Sequence, residues 1–266
     1  MKIGVVIPSR LQTRPGGLLV EEYGPELWLD GALACAQNQE GYCPRSVSPK
    51  PDWKIFIGVD PRAFVPLYVY KYAYKYMHVI RGELPGQACA VNAAARAAAA
   101  QSDVLLFLED DDRWLTSKTR IQLPYLDEFD FVSCSQRLVG ELGAVVGVSD
   151  YPVPSGWAMK TELWRRLGGF AEDFRWLVDT EWLGRLDKIK VRRAHLVDET
   201  VMRLRDKLDF VARFSEVIPV PGQTFLVDRT VNTQGGMAKV FDDPEATLEA
   251  ADEEAKLRAR FGCYPW

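Results

Sequence analysis

The sequence is short of several common tools of binding and catalysis. Its histidines are only His78 and His195, which leaves a histidine-rich zinc site without ligands. Its five cysteines, Cys35, Cys43, Cys89, Cys134 and Cys263, contain no CxxC spacing, so they read as reduced, structural thiols. No apolar run approaches the ~20 residues of a membrane span. The opening MKIGVVIPSR turns polar too soon for a signal peptide, and the cytoplasm is the expected location. Glycine-rich phosphate binders are missing too: there is no GxGxxG turn and no GxxxxGKS/T loop. A nucleotide, if one binds, must be held by side chains and a metal. A net charge of −4 gives no global pull toward nucleic acid or membranes. What is present is the composition of an ordinary globule, 266 residues with 47% hydrophobic and 26% charged, enough for one large domain or two small ones.

The most informative stretch is Asp103 to Trp114, DVLLFLEDDDRW. Val104 to Leu108 is a continuous apolar run, the mark of a strand buried on both faces. Glu109, Asp110, Asp111 and Asp112 follow without a gap. Four adjacent carboxylates repel one another, and a divalent cation is the simplest compensation. Mg²⁺ and Mn²⁺ prefer carboxylate oxygens and take a phosphate as a further ligand. Open α/β sheets also bind ligands at the carboxyl ends of their strands, where this cluster falls.

Strands and helices alternate around it. Ile3 to Ile7 reads as a first buried strand, stopped by Pro8, and Ser9 to Gly24 as a loop. Leu27 to Gln37 has helical spacing, and Gly41 to Asp52, with three prolines, reads as a loop. Ile55 to Val59 is a second strand ending on Asp60, Arg62 to Tyr76 a helix, and Met77 to Ile80 a third strand closed by Arg81 and Gly82. The alanine-rich Gln87 to Gln101 is a strong helix former whose small side chains let it lie close to the sheet. This alternation predicts a largely parallel sheet. Pro8, Ser9, Arg10, Asp60, Arg81 and the acidic cluster then converge on one edge, a set suited to a metal–diphosphate ligand.

The second half is less regular. Phe131 to Cys134 and Ala144 to Val148 read as strands, and Thr161 to Leu167 as a helix ended by Gly168. Phe174 to Leu186 carries Asp179 and Glu181 among Trp176, Trp182 and Leu183. Val217 to Met237, rich in proline and glycine, reads as a mobile loop, and Gly222 to Lys239 as a lid. Asp243, Pro244 and Glu245 open a last helix that runs to about Phe261, before Gly262. Tyr68 to Arg81 interleaves aromatic and basic residues, the pattern of a solvated amphipathic helix or of a nucleic-acid surface.

Taken in order, these pieces resemble the family 2 glycosyltransferases, which have the type A nucleotide-sugar fold (GT-A). The carrying motifs are VVIPS at Val5 to Ser9, the strand-ending Asp60, and G-x-x-x-x-x-N from Gly86 to Asn92. FLEDDD from Phe107 to Asp112, the small pair Ser155-Gly156, RRLGGF from Arg165 to Phe170, and VDTE from Val178 to Glu181 complete the series. The likeness covers about residues 1–190. Glu109, Ala171 and Val178 depart from the usual acids of the family pattern.

The resemblance implies an α/β GT-A fold, a Rossmann-like, mostly parallel sheet flanked by helices. It divides the chain into a domain over residues 1–240 and a C-terminal helical extension over 241–266. Residues 1–115 would be the nucleotide-sugar half and 116–240 the acceptor half. It implies Mn²⁺ or Mg²⁺, a nucleotide-diphosphate sugar donor of the UDP-sugar kind, and an acceptor hydroxyl on a glycan, a small molecule or a nucleic acid. Pro8, Ser9, Arg10, Asp60, Gly86, Asn92, Glu109 and Asp110 fall at the donor, and Asp111 and Asp112 at the metal, with His195 a further ligand candidate. The family D-x-D aligns with Glu109 and Asp111, while its literal spelling also fits Asp110 and Asp112. Asp179 takes the place of the general base of an inverting transfer, with Glu181 in reserve. Two alternatives stand beside this: a sugar nucleotidylyltransferase of related fold, and a nucleotide-sugar binder without turnover.

Overall fold

Apolar runs too continuous for a one-faced strand become the middle of a large sheet. The chain opens with β1 (Ile3–Ser9), a short pair β2 (Leu19–Val20) and β3 (Gly24–Pro25), and helix α1 (Trp28–Gln37). It alternates through β4 (Trp53–Val59), α2 (Leu67–Tyr72), β5 (Met77–Arg81), α3 (Gln87–Ala99) and β6 (Val104–Phe107). Next come β7 (Arg113–Trp114), α4 (Lys118–Gln122), β8 (Phe131–Cys134), β9 (Gln136–Gly140) and β10 (Val145–Ser149). The remainder is β11 (Ala158–Lys160), α5 (Thr161–Leu167), α6 (Val178–Asp187), β12 (Arg193–Asp198), β13 (Glu216–Val220), β14 (Val227–Val231) and α7 (Pro244–Phe261). The computed structural model describes residues 1–14, 19–20, 24–40, 52–72, 76–140, 143–199, 214–220, 225–231 and 243–263.

Eight strands form the main sheet in the order β13-β12-β8-β11-β6-β1-β4-β5. β11 runs antiparallel to β6 and β8, and every other neighbouring pair is parallel. All four residues of β6 and of β8 are buried, as strands covered on both faces must be. The two-residue period divides the core. Val5, Ile7 and Leu106 face α1, while Val6, Leu105 and Phe107 face α3, α5 and α6. The second face is aromatic, with Trp157 and Trp182 centroids 4.9 Å apart. α3 lies close to the sheet as its alanines predict, since a Cβ at Gly58 would collide with the Ala90 carbonyl oxygen.

A second sheet, in the order β10-β9-β14-β7, stands beside the first. β7 belongs to it, so the acidic turn between β6 and β7 joins the two sheets. α7 begins as its sequence signals require: Asp243 Oδ1 accepts the Glu245 N–H at 2.9 Å, and Gly262 closes the helix at φ +81°. Leu257 of α7 is buried in the aromatic core, which makes this helix part of a single domain.

Three segments differ from the sequence reading. The helix expected over Arg62 to Tyr76 is confined to α2 within the described residues, because proline at 66 holds its predecessor out of helical conformation. Ser9 to Gly24, expected to be a loop, contributes β2 and the start of β3. Val217 to Met237, expected to be a mobile loop, holds strands β13 and β14. Pro219 is tolerated because β13 is an edge strand, where a missing N–H breaks no central ladder. The flanks 221–224 and 232–242, most of the expected lid, lie outside the described residues. So do Cys43 and the expected loop around it; Cys35, Cys89, Cys134 and Cys263 are free thiols. Among the described residues no helix is long and apolar enough to cross a membrane.

Candidate functional site

Register brings the expected residues to one edge. Ser9 pairs with Val59, Val59 with Arg81, and Val6 with Phe107, so Asp60 and the acidic turn leave the sheet on the same side. Ser9 Oγ donates to Asp110 Oδ2 at 2.6 Å. Gln87 Nε2 donates to Glu109 Oε1 at 2.9 Å from the first turn of α3. Gly86 opens that helix at φ +124°, a conformation that favours glycine. The Glu109 N–H donates to the buried Ser155 Oγ at 3.0 Å, tying the small-residue loop to the cluster.

Arg113 braces the turn. Its Nη1 donates to the Asp112 carbonyl at 2.7 Å and to that of Asp110 at 3.4 Å. A Cβ at Gly31 in α1 would collide with this guanidinium, so an alanine there must push Arg113 away from the turn it braces. Gly31→Ala should therefore lower the melting temperature, although alanine is the better helix former by about 1 kcal/mol. A rise in melting temperature would show that Arg113 relocates without loss.

β14 fastens to the same turn. The Thr230 N–H donates to Asp112 Oδ1 at 2.9 Å, and Thr230 Oγ1 donates to the Asp111 carbonyl. Asp112 Oδ2 is buried with no partner among the described residues. Arg229, one residue before Thr230, attracts Glu109, Asp112 and Asp179 alike. The sequence reading missed this arginine. Its only signal was the alternation of VDRTV, and the surrounding prolines and glycines read as loop.

The carboxyls are poised well above their usual range. Burial, then Asp112 and Asp111, push Glu109 up to about 8. Burial and Asp111 push Asp112 to about 7, and Asp110, despite its bond from Ser9, to about 6. Burial also raises Asp179, whose Oδ1 accepts the Thr180 N–H at 2.8 Å in the first turn of α6. Glu109 and Asp179 repel each other, which places Asp179 in the electrostatic neighbourhood of the acidic turn. Among the described residues no three His, Cys, Asp or Glu side chains make a ready metal cage. Mg²⁺ does not require one, since one or two carboxylates plus substrate phosphates commonly hold it. The orphaned Asp112 Oδ2 beside Asp111 fits such a partial donor set.

Other candidates take different places. Arg10 attracts Asp110, and Pro8 lies in β1 next to Ser9. Asp60 Oδ1 accepts the Arg62 N–H at 3.0 Å, and Arg81 Nη1 pins that turn through the Pro61 and Ala63 carbonyls. Asn92 is not at the donor edge. It is buried under the GGF turn, accepting the Phe170 N–H at 2.7 Å and donating to the Phe170 carbonyl at 2.9 Å. Glu181 does not face the site either. It is fully buried against Arg185 at 2.8 Å and Arg260 at 2.7 Å, as expected of a residue two positions from Asp179 on a helix.

His195, expected as a further metal ligand, sits among serines. On β12 its Nδ1 lies 2.8 Å from Ser133 Oγ and its Nε2 3.4 Å from Ser135 Oγ, so both ring nitrogens have serine partners. Burial pushes it down to about 4. The unfolded chain thus binds a proton near pH 6.5 that the folded chain refuses. The stability from neutral His195 is complete above pH 6.5 and is lost as pH falls toward 4, on the order of 3 kcal/mol. His195→Gln should flatten the rise of melting temperature between pH 4 and 6.5; an unchanged slope would show that other groups carry it.

Neither a protein-family model nor a curated protein matches the chain. Solved structures do. Residues 1–349 of S. aureus TarS in complex with UDP align at 14% identity and TM-score 0.56, over 98% of this chain and 72% of that one. The same TarS fragment with UDP-GlcNAc aligns at 14% identity and TM-score 0.57, over 90% of this chain and 61% of that one. Longer TarS aligns at 14% identity and TM-score 0.54, and there the match covers only 44% of its length. At such identity the likeness speaks for architecture. With one antiparallel strand in a parallel sheet, a second small sheet and the acidic turn between them, the chain has the GT-A nucleotide-sugar fold.

Proposed function

We propose that the chain is a glycosyltransferase that moves a sugar from a UDP-sugar to an acceptor hydroxyl, with Mn²⁺ or Mg²⁺ at the acidic turn. The observation that carries this reading is the buried acidic turn at the strand edge, where Ser9, Gln87, Ser155 and Thr230 from four separate elements bond to Glu109, Asp110 and Asp112, with the charges of Arg229 and Asp179 felt there. A departing diphosphate needs positive charge, and an attacking hydroxyl needs a base; both kinds of group occur here together. UDP and UDP-GlcNAc are the ligands of the TarS complexes, which makes them the donors to try first.

Asp111 and Asp112 would hold the ion, flanked by Glu109 and Asp110; when bound it supplies Lewis-acid neutralisation of the diphosphate. Arg229 adds a fixed positive charge on the same side. Asp179 takes the proton from the acceptor hydroxyl, and its burial-raised pKa brings it nearer to neutrality, where a base works best. One displacement with this base inverts the anomeric centre. Asp60 offers its second carboxylate oxygen to the base or ribose. Asp60→Ala should weaken UDP binding about tenfold, the worth of roughly one charged hydrogen bond. Equal affinity by calorimetry would make Asp60 a turn-forming residue only.

A thermal-shift panel of nucleoside diphosphates, each with and without Mn²⁺, tests the reading. The expected result is a shift with UDP that grows when Mn²⁺ is added. A response to no nucleotide would remove the proposal.

A further inference from the structure

The helix that presents Asp179 has no cap of its own. Leu177 at the start of α6 makes no side-chain hydrogen bond to the first turn. The free N–H groups of a helix start need acceptors. Here the N–H of Leu177, and those of the two residues that lead into the helix, find theirs at the far end of the chain. Glu253, buried in the middle of α7, accepts the Arg175 N–H on Oε1 at 2.5 Å and the Trp176 and Leu177 N–H groups on Oε2 at 2.9 Å each.

The rest of the same α7 stripe extends the grip. Glu249 Oε2 accepts from Trp176 Nε1 and from Arg175 Nη1, both at 3.0 Å. Leu257 is fully buried one turn beyond Glu253. Arg260 pairs with Glu181 at 2.7 Å and with Asp173 at 3.5 Å. Residues 249, 253, 257 and 260 recur at helical spacing, so a single face of α7 holds residues 173–181. A buried carboxylate is expensive unless its oxygens are satisfied. Three N–H donors satisfy this one, and the positive end of the α6 dipole adds to them.

The geometry points to Glu253 as a positioning residue for Asp179: through the α6 start, the C-terminal helix sets where the acceptor-side acid stands. This rests on the reading of Asp179 as base. A misplacement of about 1 Å can lower a rate by about 100-fold.

The test compares Glu253→Ala, Glu253→Gln and Leu257→Val in the full chain. Leu257→Val loosens α7 while leaving the cap in place. Transfer from a UDP-sugar, KM for that donor, and amide exchange at Trp176 and Leu177 are measured in each. Glu253→Ala should speed exchange at both amides and lower kcat about 10–100-fold with donor KM within about twofold. Glu253→Gln keeps one acceptor oxygen and should fall between Ala and wild type, which holds the test open should Ala fold poorly. Leu257→Val should keep kcat near wild type. If exchange speeds up while kcat stays constant, or if Leu257→Val loses as much kcat as Glu253→Ala, Glu253 is only structural and the positioning role is overturned. Asp179→Asn is run beside them. Normal transfer by that variant would overturn the base assignment and the role of Glu253 with it, whereas its loss with Glu253→Ala unaffected overturns the positioning alone.

Discussion

Asp179→Asn should cut sugar transfer about 100-fold or more while leaving affinity for UDP and Mn²⁺ within about twofold, the signature of a lost general base. The side chain keeps its size, and the asparagine oxygen can still accept the Thr180 N–H that Asp179 Oδ1 accepts now at 2.8 Å. What vanishes is the capacity to take a proton. The loss should appear in kcat, because the proposed base acts on the acceptor and not on the donor. Glu181→Gln provides the contrast. It breaks the ion pairs of the fully buried Glu181 with the partly exposed Arg185 and Arg260, so it should lower stability rather than act on the chemical step. Calorimetry with UDP and Mn²⁺, next to turnover at saturating donor, separates the two effects. Normal turnover by Asp179→Asn would remove α6 from the catalytic wall.

Asp111→Asn should lower Mn²⁺-dependent UDP affinity more than tenfold and, in the absence of ligand, raise the melting temperature by about 2–4 °C at pH 8. The opposite signs come from one cause. Asp111 is the neighbour that most often raises the other acids: it pushes up Glu109, Asp110 and Asp112. Acids whose folded pKa lies above the unfolded value hold protons when folded that the unfolded chain has already released. Their burden on stability therefore grows as pH rises from the ordinary carboxylate range, about 4, and is complete above about 8, the highest of the three raised values. Removing one charge relieves it, but also removes an oxygen from the cation's partial donor set. Lower stability together with unchanged affinity would make Asp111 an architectural residue.

Where local pattern and tertiary context agreed, structure was legible in the sequence. The buried strands at Ile3–Ser9, Trp53–Val59 and Val104–Phe107 announced themselves by unbroken apolar runs, and α5 and α7 by their stop and start residues. The carboxyl-edge placement of Ser9, Asp60 and the acidic turn followed from the alternation of strands and helices alone. What stayed hidden depended on partners distant in sequence. Pro219 looked like loop until β13 was seen to be an edge strand. His195 looked like a spare ligand until Ser133 and Ser135 closed on its ring. Asn92 lay in a donor-like motif, yet its amide is spent on the backbone of Phe170, 78 residues away. Arg229 could not be placed at the acidic turn without the pairing of β14 with β7. Glu253 read as one more acid on an amphipathic helix, because nothing local indicates that its oxygens face three backbone N–H groups.

In the proposed reaction the acidic turn and Asp179 act together to move a sugar off a nucleotide. The most direct measurement is the product formed from a UDP-sugar, supplied with Mn²⁺ and a panel of hydroxyl acceptors. Free UDP should appear only with the metal present, increase with an acceptor, and be lost in Asp179→Asn. Pyrophosphate as the product, or tight binding of the UDP-sugar with no UDP released under any acceptor, would contradict it.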